Sequence, residues 1–99
     1  MPNDFQETDL LLSCKDAGER KKALGELFTV HRERLRFMVD LRLDPRLRGI
    51  LDPSDVLQEA FLETFKRLDE YLQRPAMPLY LWLRRLVGQS LNDLHVHYL

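Results

Sequence analysis

The apolar residues between Asp16 and Leu43 recur at three- and four-residue spacing, and this stripe constrains the fold more than any other feature of the chain. Leu24, Leu27, Phe28, His31, Leu35 and Met38 fall on one side of a helix that turns about 100° per residue. A helix of this kind must bury its stripe against something. Asp44-Pro45 stops it, because proline has no backbone N–H to donate and its ring clashes with the preceding turn. The chain therefore has to turn back and supply the covering surface itself.

The remaining segments carry the same signature. A short helix is expected over Phe5 to Cys14. After a connector from Arg46 to Leu51, which contains Gly49, the run Asp52-Pro53-Ser54-Asp55 reads as a helix start. Asp52 can cap free N–H groups, Pro53 suits the first helical position, and Asp55 favours the positive end of the helix dipole. That helix should run to about Leu72. The stretch Gln73-Arg74-Pro75-Ala76-Met77-Pro78 breaks it, and a last helix should begin near Pro78 and reach the chain end. No alternating strand pattern of useful length occurs. With only four Gly and five Pro in 99 residues, little stands against helix. The fold class is therefore all-α, a three- to four-helix bundle forming one domain over residues 1–99.

Several function classes are disfavoured. The single cysteine, Cys14, excludes an internal disulfide and suits a reducing cytoplasm; no basic or histidine partner near it suggests a nucleophile. The start Met1-Pro2-Asn3-Asp4-Phe5 is acidic and unlike a secretory leader. No apolar run approaches the ~20 residues of a membrane span. His95 and His97 sit two apart on a helix and point to nearly opposite sides, so they do not form a metal pair. His31, on the apolar stripe, reads as a packed histidine. No glycine-rich phosphate loop occurs. Neither an enzyme, a metal nor a cofactor is expected, and the chain reads as cytoplasmic.

Charge is segregated although its formal sum is only −1. Basic residues outnumber acids from Arg20 to Arg48, and acids outnumber basic residues from Asp52 to Glu70. Such a chain can offer faces of opposite sign to two partners. On the third helix Leu57, Ala60, Phe61, Thr64, Leu68 and Tyr71 share one side, while Leu62 sits among Asp55, Gln58, Glu59, Lys66 and Asp69 on the other. An apolar residue ringed by amide and carboxylates resembles a small protein interface. On the last helix Leu79, Leu83, Leu86, Val87, Leu91, Leu94 and Tyr98 form the inward stripe. Trp82, Arg85, Gln89 and Asn92 lie on a different side, a combination suited to stacking bases, holding phosphate and bonding base edges.

These residues carry a family likeness. Asp55-Val56-Leu57-Gln58-Glu59-Ala60-Phe61-Leu62 resembles the Asp-x-x-Gln-Glu-x-Phe signature that opens the polymerase-binding helix of bacterial sigma factors. Leu68-Asp69-Glu70-Tyr71 is similar to the usual end of that helix. Trp82-Leu83-Arg84-Arg85-Leu86 resembles the Trp-Leu-x-Arg-Ile start of the promoter-melting helix, and Asp93 stands where that helix usually carries Asp or Asn. The extracytoplasmic-function branch fits best, in its region two, with the likeness covering about Leu10 to Leu99.

The resemblance implies the sigma region-two type of bundle and two binding surfaces. Asp55, Gln58, Glu59 and Leu62 would dock on a coiled coil in the largest subunit of the RNA polymerase core. A base flipped from the non-template strand of the minus-ten element would enter a pocket lined by Tyr71, Leu86 and Gln89, with Arg67 nearby and loop residues Gln73 to Leu79 against it. Trp82 and Tyr80 would stack on bases or wedge the duplex edge, Arg74 and Arg85 would hold phosphates, and Asn92 would extend the DNA-binding side. An anti-sigma factor is a candidate further partner. The chain departs from the family at Gln89, where Asn is usual, in a longer loop holding Pro75 and Pro78, and in His95-Val96-His97-Tyr98, where an Arg run is common. No helix-turn-helix domain for the minus-thirty-five element follows Leu99, which suggests a piece of a longer factor. The alternative is a sigma-like helical adaptor that binds only protein.

Overall fold

The computed structural model describes residues 4–99, and the reading of Met1 to Asn3 lies outside the described residues. Four helices follow in order: α1 (Gln6–Leu12), α2 (Ala17–Arg42), α3 (Pro53–Gln73) and α4 (Leu79–Tyr98), with a 3-10 turn at Pro45–Leu47. Among the described residues there is no strand. The long helices begin and end within a residue or two of the sequence expectation, because their boundaries are set locally. Asp16 accepts the Glu19 backbone N–H at 2.8 Å, and the Glu19 carboxylate accepts the Lys15 N–H at 3.0 Å. At the start of α3, Asp52 accepts the Ser54 N–H at 2.9 Å while the Asp55 carboxylate accepts the Asp52 N–H at 2.9 Å, a reciprocal capping arrangement. Pro53 occupies the first turn, where its missing N–H costs nothing. α1 is shorter than expected. Ser13 caps its C-terminus, its hydroxyl donating to the Leu10 carbonyl at 2.7 Å.

α2, α3 and α4 pack on one another, and α1 lies against α2 and α3. The core runs through Leu24, Leu35, Val39, Val56, Leu57, Leu83, Val87 and Leu91, all essentially without exposure. Each such side chain contributes roughly 1.5–3 kcal/mol by leaving water. Phe28, Phe61 and Phe65 continue the α2–α3 seam, with ring centroids 4.8 and 4.6 Å apart. The stripes read from sequence are largely the buried ones, with corrections at their edges. Leu27, Phe61 and Leu94 are only half-buried, and Tyr98, at the last turn of α4, is exposed. His31 is packed as expected, but as half of a pair: its Nε2 meets the Glu7 carboxylate oxygens at 2.8 and 3.0 Å.

The connector is part of the core. Leu43, Leu47 and Leu51 are buried and recur at four-residue spacing across the break at Asp44-Pro45. Arg48 donates to the Asp40 carboxylate and carbonyl at 3.0 and 2.7 Å. The Asp44 N–H donates to His95 Nε2 on α4 at 3.2 Å, which engages one of the two histidines set aside as metal ligands.

Two outcomes follow. Leu83→Ala should cost about 2–5 kcal/mol in denaturant unfolding, a large part of a total of roughly 5–15 kcal/mol. The Asp44 carboxyl is held down from 3.8 to about 2 by the side-chain bonds of Arg46 and then by the Arg46 backbone N–H. Because the folded value is depressed, its contribution is complete above the ordinary value and fades as pH falls through the folded one. Melting temperature should therefore decline between about pH 4 and about pH 2, and Asp44→Asn should flatten part of that decline.

Candidate functional site

The C-terminal half of α3, the loop at residues 74–78 and the first three turns of α4 enclose a cleft of about 680 Å³. Proline shapes its mouth. Pro75 and Pro78 hold the loop out of helix, and α4 starts without a side-chain cap, its first turn led by Pro78. The cleft is lined by Arg67, Glu70, Tyr71 and Gln73 from α3, by Arg74, Ala76 and Met77 from the loop, and by Trp82, Arg85, Leu86 and Gln89 from α4. Seven of the residues singled out for DNA in the sequence therefore meet in one place: Arg67, Tyr71, Arg74, Trp82, Arg85, Leu86 and Gln89. Two do not. Tyr80 is two residues from Trp82, about 200° away around the helix. It lines a separate groove between α2 and α4 with Phe37, Met38 and Leu41, its ring under the Arg34 guanidinium at 3.9 Å and 5.0 Å from His31. Asn92 is exposed beyond Gln89 and does not reach the cleft.

Trp82 requires a correction of a different kind. Its placement on an open polar side of α4 does not hold, because the residue is 8% exposed. It lies one turn from both Leu79 and Leu86 and so borders the apolar stripe. Its ring stacks on Tyr71 with centroids 4.5 Å apart and planes 17° from parallel. The pair is the floor of the cleft, and Trp82 offers little free ring surface there.

Tyr71 is fixed by more than its ring. Its hydroxyl donates to the Met77 carbonyl at 2.6 Å. With that proton committed, the 2.7 Å bond to Thr8 must run from the Thr8 hydroxyl to the Tyr71 oxygen. Burial raises the Tyr71 pKa, opposed by the Thr8 bond and reinforced by the nearby Glu7 charge, so the phenol stays neutral and remains a donor. Thr8 was absent from the sequence reading. It stands 63 residues from Tyr71, and nothing local marks it. Glu70, which brings a carboxylate to the cleft wall, was also missed.

The cations differ in availability. Arg67 lies 3.4 Å from Glu63, one turn earlier on α3. Arg74 and Arg85 are exposed and join no ion pair among the described residues. An amide, a carboxylate, an aromatic floor and two free guanidinium groups can together hold a flat heteroaromatic ring with an attached anion.

The other predicted surface is also contiguous. Asp55, Gln58, Glu59 and Leu62 share a shallow depression of about 360 Å³ on the outer face of α3 with Glu63 and Lys66. Leu62 is 55% exposed, with no apolar cover. Asp55 already serves the helix start through its bond to the Asp52 N–H, so one of its oxygens is occupied.

Among the described residues no group of three or more His, Cys, Asp or Glu is arranged to hold a metal, and no helix is long and apolar enough to cross a membrane. No family model, curated protein or solved structure matches the chain.

Proposed function

We propose that this chain acts as a bacterial transcription initiation module of the sigma region-two type, using the α3 ridge to bind RNA polymerase core and the cleft to take an unpaired base of the promoter minus-ten element. The observation that carries this reading is the convergence of Arg67, Tyr71, Arg74, Arg85, Leu86 and Gln89 around one cleft, separate from the depression on the ridge. A recess with an aromatic floor and polar walls can receive a base, whose unstacking costs only a few kcal/mol. Gln89 can pair with a base edge in either sense, and Glu70 can accept from an exocyclic amine. Arg74 and Arg85 suit the flanking phosphates.

Charge sets the order of events. With a net charge of −1, the chain gains little from nonspecific attraction to DNA. Binding of polymerase through Gln58, Glu59 and Leu62 comes first in this scheme, and the polymerase then delivers the strand. The same net charge favours the second reading, an adaptor that binds protein only. Binding of single-stranded minus-ten DNA in the presence of core polymerase separates the two.

Gln58→Ala combined with Leu62→Ala should weaken core binding by about tenfold or more without lowering the melting temperature, since both side chains are exposed. Unchanged affinity would remove the ridge from the account. Arg85→Ala combined with Gln89→Ala should leave core binding intact, lower single-strand uptake by about tenfold, and reduce the salt dependence of that uptake. Trp82→Ala is a poor probe of the same surface, because removing a buried ring costs about 3–5 kcal/mol of stability.

A further inference from the structure

We infer that Thr8, on α1, is a positioning residue for the cleft: its hydroxyl holds Tyr71 and, through Tyr71, the loop at residues 74–78 in the arrangement that accepts a base. The inference rests on the base-capture reading of the cleft and adds to it an element from the opposite end of the sequence.

Thr8 is 1% exposed and does not itself line the cleft. Its hydroxyl donates to the Tyr71 oxygen at 2.7 Å, and the Tyr71 hydroxyl donates to the Met77 carbonyl at 2.6 Å. Three segments are thus joined in a single line: α1, the last turns of α3, and the loop that forms the mouth. Tyr71 cannot turn its hydroxyl toward an incoming base without giving up the Met77 carbonyl. The ring is further held by its stack on Trp82. Consecutive hydroxyl bonds polarise one another, so the incoming bond from Thr8 strengthens the outgoing one to the loop.

α1 does not depend on this bond for its place. Glu7 meets His31 on α2 at 2.8 Å, Leu11 is fully buried, and Arg20 Nε donates to the Leu11 carbonyl at 3.2 Å. Removing the Thr8 hydroxyl therefore takes away a bond to Tyr71 while α1 stays docked. A side chain whose only use was to attach α1 would be redundant beside these contacts.

Thr8→Val keeps the shape and removes the hydroxyl, and Thr8→Ser keeps the hydroxyl. Single-strand uptake is measured with a minus-ten non-template oligonucleotide on the complex of the full chain with core polymerase. Trp82, the only tryptophan, is read by fluorescence in the free chain. Thr8→Val should weaken uptake by about three- to tenfold, the range expected for one buried hydrogen bond, and shift Trp82 emission, with core affinity unchanged. Thr8→Ser should restore both. Placed in a Tyr71→Phe background, Thr8→Val should have no further effect on uptake, because the group it orients is gone. Equal uptake by wild type and Thr8→Val, or losses that simply add to those of Tyr71→Phe, overturns the inference while leaving base capture standing. Failure of the wild-type complex to take up the oligonucleotide overturns base capture itself, and the role given to Thr8 with it.

Discussion

Tyr71 is the point at which the parts of this small bundle are brought into register. Its ring lies flat on Trp82 of α4, and its hydroxyl sits between Thr8 of α1 and the Met77 carbonyl of the loop. A buried phenol without partners would cost on the order of 1–3 kcal/mol, so the bonds are a requirement of placing tyrosine there at all. That requirement couples the cleft to the core. The floor is rigid because it is an edge of the hydrophobic interior, and the mouth is defined because the loop is tied to the same ring.

The rest of the candidate site is built outward from this floor by exposed, flexible side chains. Arg74, Arg85 and Gln89 can reorient to meet a ligand, whereas Tyr71, Trp82 and Leu86 cannot without disturbing the packing. A fixed floor with adaptable polar groups around it is a common division of labour in a binding pocket. The ridge on α3 follows a different plan. There a single exposed leucine is surrounded by charge and amide, and affinity for a partner would rest on few groups, Leu62 foremost.

Local chemistry made the helices legible in the sequence. Asp16, Asp52 and Pro53 act on backbone groups within three residues, so their meaning needs no knowledge of the fold. Exposure of Leu62 followed from the wheel of one helix, and so did the common side of Arg85 and Gln89. The wheel of one helix carries no information about which neighbour covers it. Trp82 lies at the border of the α4 stripe, and only the approach of Tyr71 decides that it is covered. The family resemblance pairs Tyr80 with it for stacking, yet Tyr80 faces α2. The buried Leu43, Leu47 and Leu51 keep a four-residue spacing through a break in the helix, and the Thr8–Tyr71 bond joins residues 63 apart in the chain. No single-sequence pattern encodes such pairs.

The claim at the centre of this account is that an unpaired base comes to rest beside the Tyr71–Trp82 floor. Incorporation of 5-fluorotryptophan at Trp82 gives a fluorine NMR signal from that floor alone, even within a complex with unlabelled core polymerase. Adding a single-stranded minus-ten oligonucleotide should move this resonance, and an oligonucleotide with an abasic site at the captured position should not. Tight binding of both oligonucleotides with the resonance unmoved would contradict the account.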